Sequence, residues 1–186
     1  VKIVGLVGPK RSGKDTAAAA LVEQRGFVRV GFADAVKDLA LRINPNITYD
    51  AFGSVRLRGT VDDYGWEKAK GHPEVRRFLQ ELGTGVRDTV GIDAWTRAWA
   101  RKVRSLPFHT RVVVPDVRFL NEAKLIQGWA VPTTLIRVTR PGLDLSDTHV
   151  SETEQARIRC DVELTNDGTA VELQARALSV VDGWLS

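Results

Sequence analysis

Short apolar runs separated by amphipathic stretches set the pattern of this chain. Residues 2–7, 27–32, 110–114, 133–138 and 161–164 are short strand candidates, most of them mainly apolar. Runs of that length suit strands covered on both faces of a parallel sheet. Between them the period becomes that of a helix. Residues 14–23 are alanine-rich and follow a glycine loop, and 33–42 follow the second strand candidate. Val75, Phe78, Leu79 and Leu82 fall at i, i+3, i+4 and i+7, which puts them on one helical face. Trp95, Trp99, Val103 and Leu106 form a similar stripe over 94–106, and residues 119–127 precede the fourth strand. Val171, Ala175, Leu178, Val181 and Leu185 mark a last helix. Alternating strand and helix predicts an α/β fold: a five-stranded parallel sheet flanked by helices and joined by right-handed crossovers.

Two stretches interrupt the rhythm. Residues 44–72 hold turn formers and aromatics with neither period, and 141–157 are polar and acidic. Long irregular segments within a compact domain are usually functional loops. Both lie between core elements, so the expected organisation is one domain over 1–186. It has a core of 1–43, 106–140 and 158–186, an inserted region 44–105 and a short lid 141–157.

Composition narrows the classes. The 186 residues carry 27 Lys+Arg against 23 Asp+Glu, a formal charge of +4, and 43% of positions are hydrophobic, which argues against disorder. A lone cysteine, Cys160, excludes an internal disulfide framework and fits a reducing compartment. No apolar run approaches the roughly 20 residues that span a bilayer. The sequence opens directly on an apolar strand without a basic leader. The expectation is a cytoplasmic protein with no membrane partner. Proteins held by a nucleic-acid backbone neutralise roughly 6–10 phosphates, so an excess of four charges would serve only if clustered. One cluster exists, Arg97, Arg101, Lys102, Arg104 and Arg111, with no acid between Thr96 and Pro115. A solvated helix face accounts for it as well, and no stable nucleic-acid binding is expected.

The strongest chemical signal lies between the first strand and the first helix. Gly8-Pro9-Lys10-Arg11-Ser12-Gly13-Lys14-Asp15-Thr16 has the spacing G-x-x-x-x-G-K of a phosphate-binding loop. Glycines let the backbone wrap so that successive N–H groups point at phosphate oxygens. The following helix adds its positive end, and Lys14 reaches the β- and γ-phosphates as a point charge. Lys10, Arg11, Ser12, Gly13, Lys14, Asp15 and Thr16 are therefore candidates to hold ATP. Asp15 stands where a Mg²⁺-ligating hydroxyl is usual. It either binds the ion, directly or through water, or stabilises the helix start, with Thr16 as a neighbouring hydroxyl.

Other candidates sit at strand ends. Val112 to Asp116 is an apolar run closing on a carboxylate, which beside such a loop either holds Mg²⁺ or caps the next helix. Arg118 follows, within reach of a transferring phosphoryl group. Glu122, a turn later, either pairs with Arg118 or is solvated. Asp34 follows the second strand, as a ligand group or a helix N-cap, and Lys37 lies one turn on. Arg76 and Gln80 share a face of their helix at i, i+4; arginine binds phosphate bidentately and glutamine can pair with a base edge. Trp66 and Trp95 are able to stack on a base, although Trp95 also belongs to an apolar stripe. Arg137 and Arg140 precede the lid. Asn166, in Thr165-Asn166-Asp167-Gly168-Thr169, is placed to border a donor base or to form a turn and cap.

The G-K-D variant of the loop, Phe32-Ala33-Asp34 with Lys37, and Gly65-Trp66-Glu67-x-x-Lys70 resemble bacteriophage-type deoxynucleoside monophosphate kinases. So do Leu79-Gln80-x-Leu82-Gly83-Thr84, Asp116-x-Arg118-Phe119-x-Asn121-Glu122-Ala123 and His149-x-Ser151-Glu152, over most of the chain. The resemblance implies a P-loop kinase fold, with region 44–105 receiving the acceptor nucleotide. It implies catalytic roles for Lys14, Asp116 and Arg118, and ATP contacts that include Arg140 and Asn166. Asp34, Lys37, Trp66, Lys70, Arg76, Gln80, Arg87 and Trp95 are implied around the acceptor. His149 and Glu152 are implied in a closing lid, and Asp15 and Asp116 at Mg²⁺. The expected reaction is direct in-line transfer from ATP to a (deoxy)nucleoside 5′-monophosphate, and a homodimer stays open. One competing reading is a small-molecule kinase like animal phosphomevalonate kinase, which also carries G-K-D. Another is a nucleic-acid-associated P-loop ATPase or GTPase. The sequence lacks N-K-x-D for guanine, and Val117 follows Asp116 where a motor ATPase would carry Glu.

Overall fold

The computed structural model describes residues 1–49, 53–143 and 150–185. The chain begins with β1 (Lys2–Val7), α1 (Lys14–Arg25), β2 (Val28–Arg29) and α2 (Ala33–Ile43). A hairpin of β3 (Asn46–Tyr49) and β4 (Gly53–Arg56) follows, then α3 (Leu57–Ala69), α4 (Pro73–Thr89) and α5 (Ala94–Arg104). The remainder is β5 (Arg111–Val117), α6 (Leu120–Gln127), β6 (Thr133–Thr139), α7 (Val150–Ala156), β7 (Val162–Thr165) and α8 (Ala170–Leu185). These elements form two compact units, Val1–Phe32 with Trp99–Ser186, and Ala33–Ala98.

The first unit holds the predicted sheet. Its five strands run in the order β2-β5-β1-β6-β7 with every pairing parallel. The apolar runs are explained by burial on both faces. Val4, Leu6 and Val113 join Ala17, Leu21, Leu173 and Val181 of α1 and α8 in one core cluster. Their strand neighbours Ile3, Val7, Val112 and Val114 join Trp99, Ala123 and Ile126 in another. Successive side chains point to opposite faces, so two helical layers need apolar residues at every position. Trp99 is 1% exposed, stacks on Phe32 at 4.9 Å and meets the edge of Trp129 at 5.3 Å.

Two expectations are corrected here. The second strand, at the sheet edge, is limited to Val28–Arg29 rather than 27–32: Val30 N–H still bonds the Val113 carbonyl at 3.0 Å, but Phe32 N–H meets the Asp116 carboxylate instead of the β5 backbone. The apolar face of α8 is Leu173, Ala177, Leu178 and Val181, while Val171 is 72% exposed. The predicted stripe and the buried one interleave: Leu178 and Val181 belong to both, Leu185 packs against the same core half-buried, and Val171 and Ala175 are exposed.

The second unit packs Ala40, Ile47, Leu57, Ala69 and Val75 around a small core, with Phe78, Leu79 and Leu82 of α4 laid against it. The face predicted for α4 is therefore the face used. The hairpin and α3 occupy the stretch where neither period was visible. Thr48 N–H donates to the Glu74 carboxylate at 2.7 Å and ties the hairpin to α4. α3 is broken at Gly65, whose φ of 74° and ψ of 164° lie outside the helical region.

Candidate active site

The loop after β1 has the geometry its spacing requires. Gly8 and Gly13 hold φ of 146° and 106°, and Arg11 is left-handed at 65°. A Cβ on Gly8 would stand 2.2 Å from the Val138 carbonyl oxygen, so the loop closes against β6 only because that side chain is missing. Ser12 N–H donates to the Pro9 carbonyl at 3.2 Å and forms the turn. Lys14 is 7% exposed, and its ammonium donates to the Gly8 and Pro9 carbonyls at 2.5 and 2.7 Å. A positive charge thus sits over a ring of backbone that opens the helix α1. Lys10, Arg11 and Asp15 are exposed around it, with Thr16 half-buried.

Beside the loop, Asp116 is placed by a break in the sheet. Gly5 pairs with Val114 and Val7 with Val117. Pro115 and Asp116 therefore face a single β1 residue, Leu6. Proline has no N–H for the ladder, and a bulge re-aims the residue next to it. The Asp116 carboxylate accepts the Phe32 N–H at 2.9 Å and lies flat on Gly31, where a Cβ would come within 2.8 Å of Oδ2. Gly31 escaped sequence reading, although a glycine inside an apolar run signals close approach.

Arg118 follows on the stretch leading into α6. Glu122 is neither solvated nor confined to a side-chain ion pair: it is 4% exposed and accepts the N–H groups of Arg118 and Phe119 at 2.8 and 3.0 Å. Glu154 of α7 accepts the next one, from Leu120, at 3.1 Å. These carboxylates satisfy donors that a helix start leaves open. Glu122→Ala should destabilise the fold by about 1 kcal/mol or more, the cost of losing two hydrogen bonds to part-buried donors. Urea denaturation would check this, and an unchanged midpoint would refute the capping role.

The third wall of the loop comes from the turn after β7. Asn166 is 9% exposed, and its side-chain amide donates to the Ser12 carbonyl at 2.9 Å. Thr169 and Glu172 form a capping box at the start of α8, with Thr169 N–H on the carboxylate at 2.7 Å and Glu172 N–H on the hydroxyl at 3.2 Å. The turn-and-cap reading of this segment is thus realised by Thr169. Arg140 is exposed just beyond β6, whereas Arg137 donates to the Gln155 and Ile158 carbonyls and closes the end of α7.

In the second unit, Asp34 and Lys37 lie half-buried on α2, with Asp34 in the first turn rather than at the N-cap. The Lys37 ammonium stands 5.8 Å from the ring centre of Trp66, which follows the break at Gly65. Lys70 pairs with Glu67 at 2.6 Å. Arg76 and Gln80 are exposed along α4, away from its apolar face, and Arg87 is half-buried in its last turn. Trp95 is 8% exposed with its indole N–H on the Gly83 carbonyl at 2.8 Å, so its stripe is a packing stripe. His149 and the Glu152 side chain lie outside the described residues.

Other chemistry is limited. Burial pushes the Cys160 thiol up, which keeps it protonated and a poor nucleophile at neutral pH. Among the described residues no group of three or more His, Cys, Asp or Glu side chains converges on a metal position, and no helix is long and apolar enough to cross a membrane. Part of the basic cluster has internal partners. Arg111 donates to the Arg25 carbonyl at 3.3 Å, and Arg104 lies over Trp129.

Known proteins resemble this chain in sequence. A deoxynucleotide monophosphate kinase family profile matches residues 60–177. A protein of Acanthamoeba polyphaga mimivirus, named as a deoxynucleotide monophosphate kinase, is 32% identical over 97% of this chain and 96% of its own. The deoxynucleotide monophosphate kinase of Enterobacteria phage T4 is 26% identical over 93% of this chain and 95% of its own. Among solved structures, shikimate kinase from Aquifex aeolicus is 10% identical over 97% of this chain and 96% of that one, with a TM-score of 0.47.

Proposed function

Since the chain belongs to the deoxynucleotide monophosphate kinase family and is an enzyme of the nucleotide kinase class, we propose that it moves the γ-phosphoryl group of ATP onto a deoxynucleoside 5′-monophosphate. The observation that carries this is the loop of Gly8 to Lys14, a backbone ring with a nearly buried ammonium at its centre. The loop N–H groups and Lys14 bind the donor phosphates. An anionic oxygen exchanged for the neutral Gly8 and Pro9 carbonyls turns the ion–dipole bonds of Lys14 into a hydrogen bond between opposite charges, which adds full Coulomb attraction in a largely buried setting.

The residues present fit Mg²⁺. A single strand-end carboxylate, Asp116, with Asp15 and Thr16 at the loop exit, matches an ion held by one or two carboxylates, substrate phosphates and water. When bound, the ion neutralises charge on the transferring phosphoryl group. Arg118 neutralises the developing charge from the protein side, at a position fixed by Glu122. No covalent intermediate is required: alignment and charge neutralisation suffice for direct in-line transfer.

The second unit supplies the acceptor groups. Trp66 offers an aromatic face held beside Lys37, and Arg76 and Gln80 offer a bidentate cation and an amide on one helix face. Asp34, Lys70 and Arg87 complete the set, while Trp95 acts through packing. Lid roles for His149 and Glu152 and an ATP contact from Arg140 follow the same proposal. The viral relatives support action in the cytoplasm of an infected cell.

Arg76→Ala and Gln80→Ala should each raise KM for the acceptor by about tenfold, the loss of roughly 1.4 kcal/mol of binding, with KM for ATP within twofold. A change confined to ATP would move both residues to the donor. The reading as a whole is tested by coupled ADP release with ATP and Mg²⁺ over a panel of deoxynucleoside and nucleoside monophosphates and mevalonate 5-phosphate. Turnover with no nucleotide in the panel would refute it.

A further inference from the structure

We propose that Asn166 is a positioning residue, which fixes the orientation of the Ser12–Gly13 peptide and thereby aims the Gly13 N–H at bound phosphate. A peptide unit is planar and trans, so its C=O and N–H point in opposite directions. The Asn166 amide holds the Ser12 carbonyl at 2.9 Å. The N–H of the same peptide, on Gly13, must then face the other way, into the loop.

A loop of this kind needs such a restraint. Gly13, at φ 106°, tolerates either orientation of the peptide before it. Flipped, that peptide would present a carbonyl oxygen to the phosphates in place of a donor. Arg11 and Gly13 both hold positive φ, and the regular pattern of α1 begins only at Lys14, after this peptide. A side-chain donor from outside the loop makes the choice.

The donor is itself held. Asn166 N–H donates to the Thr139 carbonyl at 2.7 Å and fixes the turn to the end of β6. Arg176 reaches the Thr165 carbonyl at 2.7 Å and Asp167 at 2.6 Å. The Thr169 backbone N–H holds the Glu172 carboxylate below the ordinary glutamate range. Packing is tight as well. A Cβ on Gly13 would lie 2.7 Å from the Asn166 nitrogen and 2.6 Å from Leu173 Cδ2. The asparagine therefore lies beneath the loop and acts on the phosphates through it, rather than bordering the donor base.

This inference rests on the phosphate-loop reading, and the experiment separates the two. Calorimetry would give Kd for ADP and for inorganic tripolyphosphate with wild type, Asn166→Ala, Asn166→Asp and Lys14→Ala. Asn166→Ala should weaken both ligands about tenfold and by the same factor. Asn166→Asp, which turns a carboxylate onto the Ser12 carbonyl, should weaken both further. KM for the acceptor should stay within twofold. Loss of ADP affinity with tripolyphosphate unaffected would make Asn166 a base contact and overturn the proposal, as would unchanged binding of both. Lys14→Ala should lose tripolyphosphate too; if it binds normally, the phosphate-loop reading falls and this inference with it. A second measurement needs only the wild-type protein: the Gly13 amide proton should shift downfield on adding tripolyphosphate. A resonance that does not move would overturn the proposal even if the Asn166 variants fail to fold.

Discussion

Lys14→Ala is expected to lower phosphoryl transfer by at least about 10²–10³-fold, the usual loss when one preorganised charge or donor is removed from a developing anion. The fold should survive. The ammonium donates to the Gly8 and Pro9 carbonyls of its own loop, and Pro9 is half-exposed, so water can replace part of what is lost. A stability loss of about 0.5–1.5 kcal/mol is the scale of such bonds. Coupled ADP release and thermal denaturation separate the two effects. Turnover near the wild-type rate would end the phosphate-loop mechanism, whereas a collapsed melting curve would show that the lysine is structural first.

Gly31→Ala should be nearly as damaging, although Gly31 contacts no substrate in the proposed reaction. Its new Cβ would stand 2.8 Å from Asp116 Oδ2 and 3.0 Å from Oδ1. Backbone on one side and a carboxylate on the other leave the carboxylate as the group that moves, because it is the end of a side chain. Moving it breaks the bond from Phe32 N–H at 2.9 Å. Groups that orient a metal ligand typically matter by about 10–100-fold in affinity or activity. The expected result is that fall in kcat/KM, with a matching rise in the Mg²⁺ concentration needed for half activity. Melting temperature should change little. Asp116→Asn should behave alike, and the double variant should be no worse than either single one, since both act on one group. Additive losses would show that Gly31 and Asp116 work independently.

How much of this was legible in the sequence depends on how each feature is encoded. The sheet was, because strands buried on both faces write themselves as unbroken apolar runs such as Val112, Val113 and Val114. The phosphate loop was, since its glycines and lysine are fixed by local backbone chemistry. The face of α4 was, because Val75, Phe78, Leu79 and Leu82 have no rival stripe. In α8 two stripes interleave, and only packing against α1 selects Leu173 and Ala177 over Val171 and Ala175. The hairpin was hidden because strands of four residues are too short to show a period, and α3 because Gly65 interrupts it. Glu122 reads as an ion-pair partner or a solvated residue, and Asn166 as a base contact or part of a turn and cap, but neither reading names the groups they support. Their partners are the backbone groups of Arg118, Phe119 and Ser12, and a one-dimensional pattern does not show which main-chain atoms a side chain will meet.

The edges of the sheet bear on how the protein assembles. One edge strand pairs over two residues, Val28 and Arg29, and the other, β7, spans four and carries Glu163 outward. Brief edges bearing charges of opposite sign offer little template for a neighbouring strand. Copies of this chain would therefore gain little by joining their sheets end to end. Any dimer formed in solution should rest on helices, and concentrated samples should resist strand-swapped aggregation.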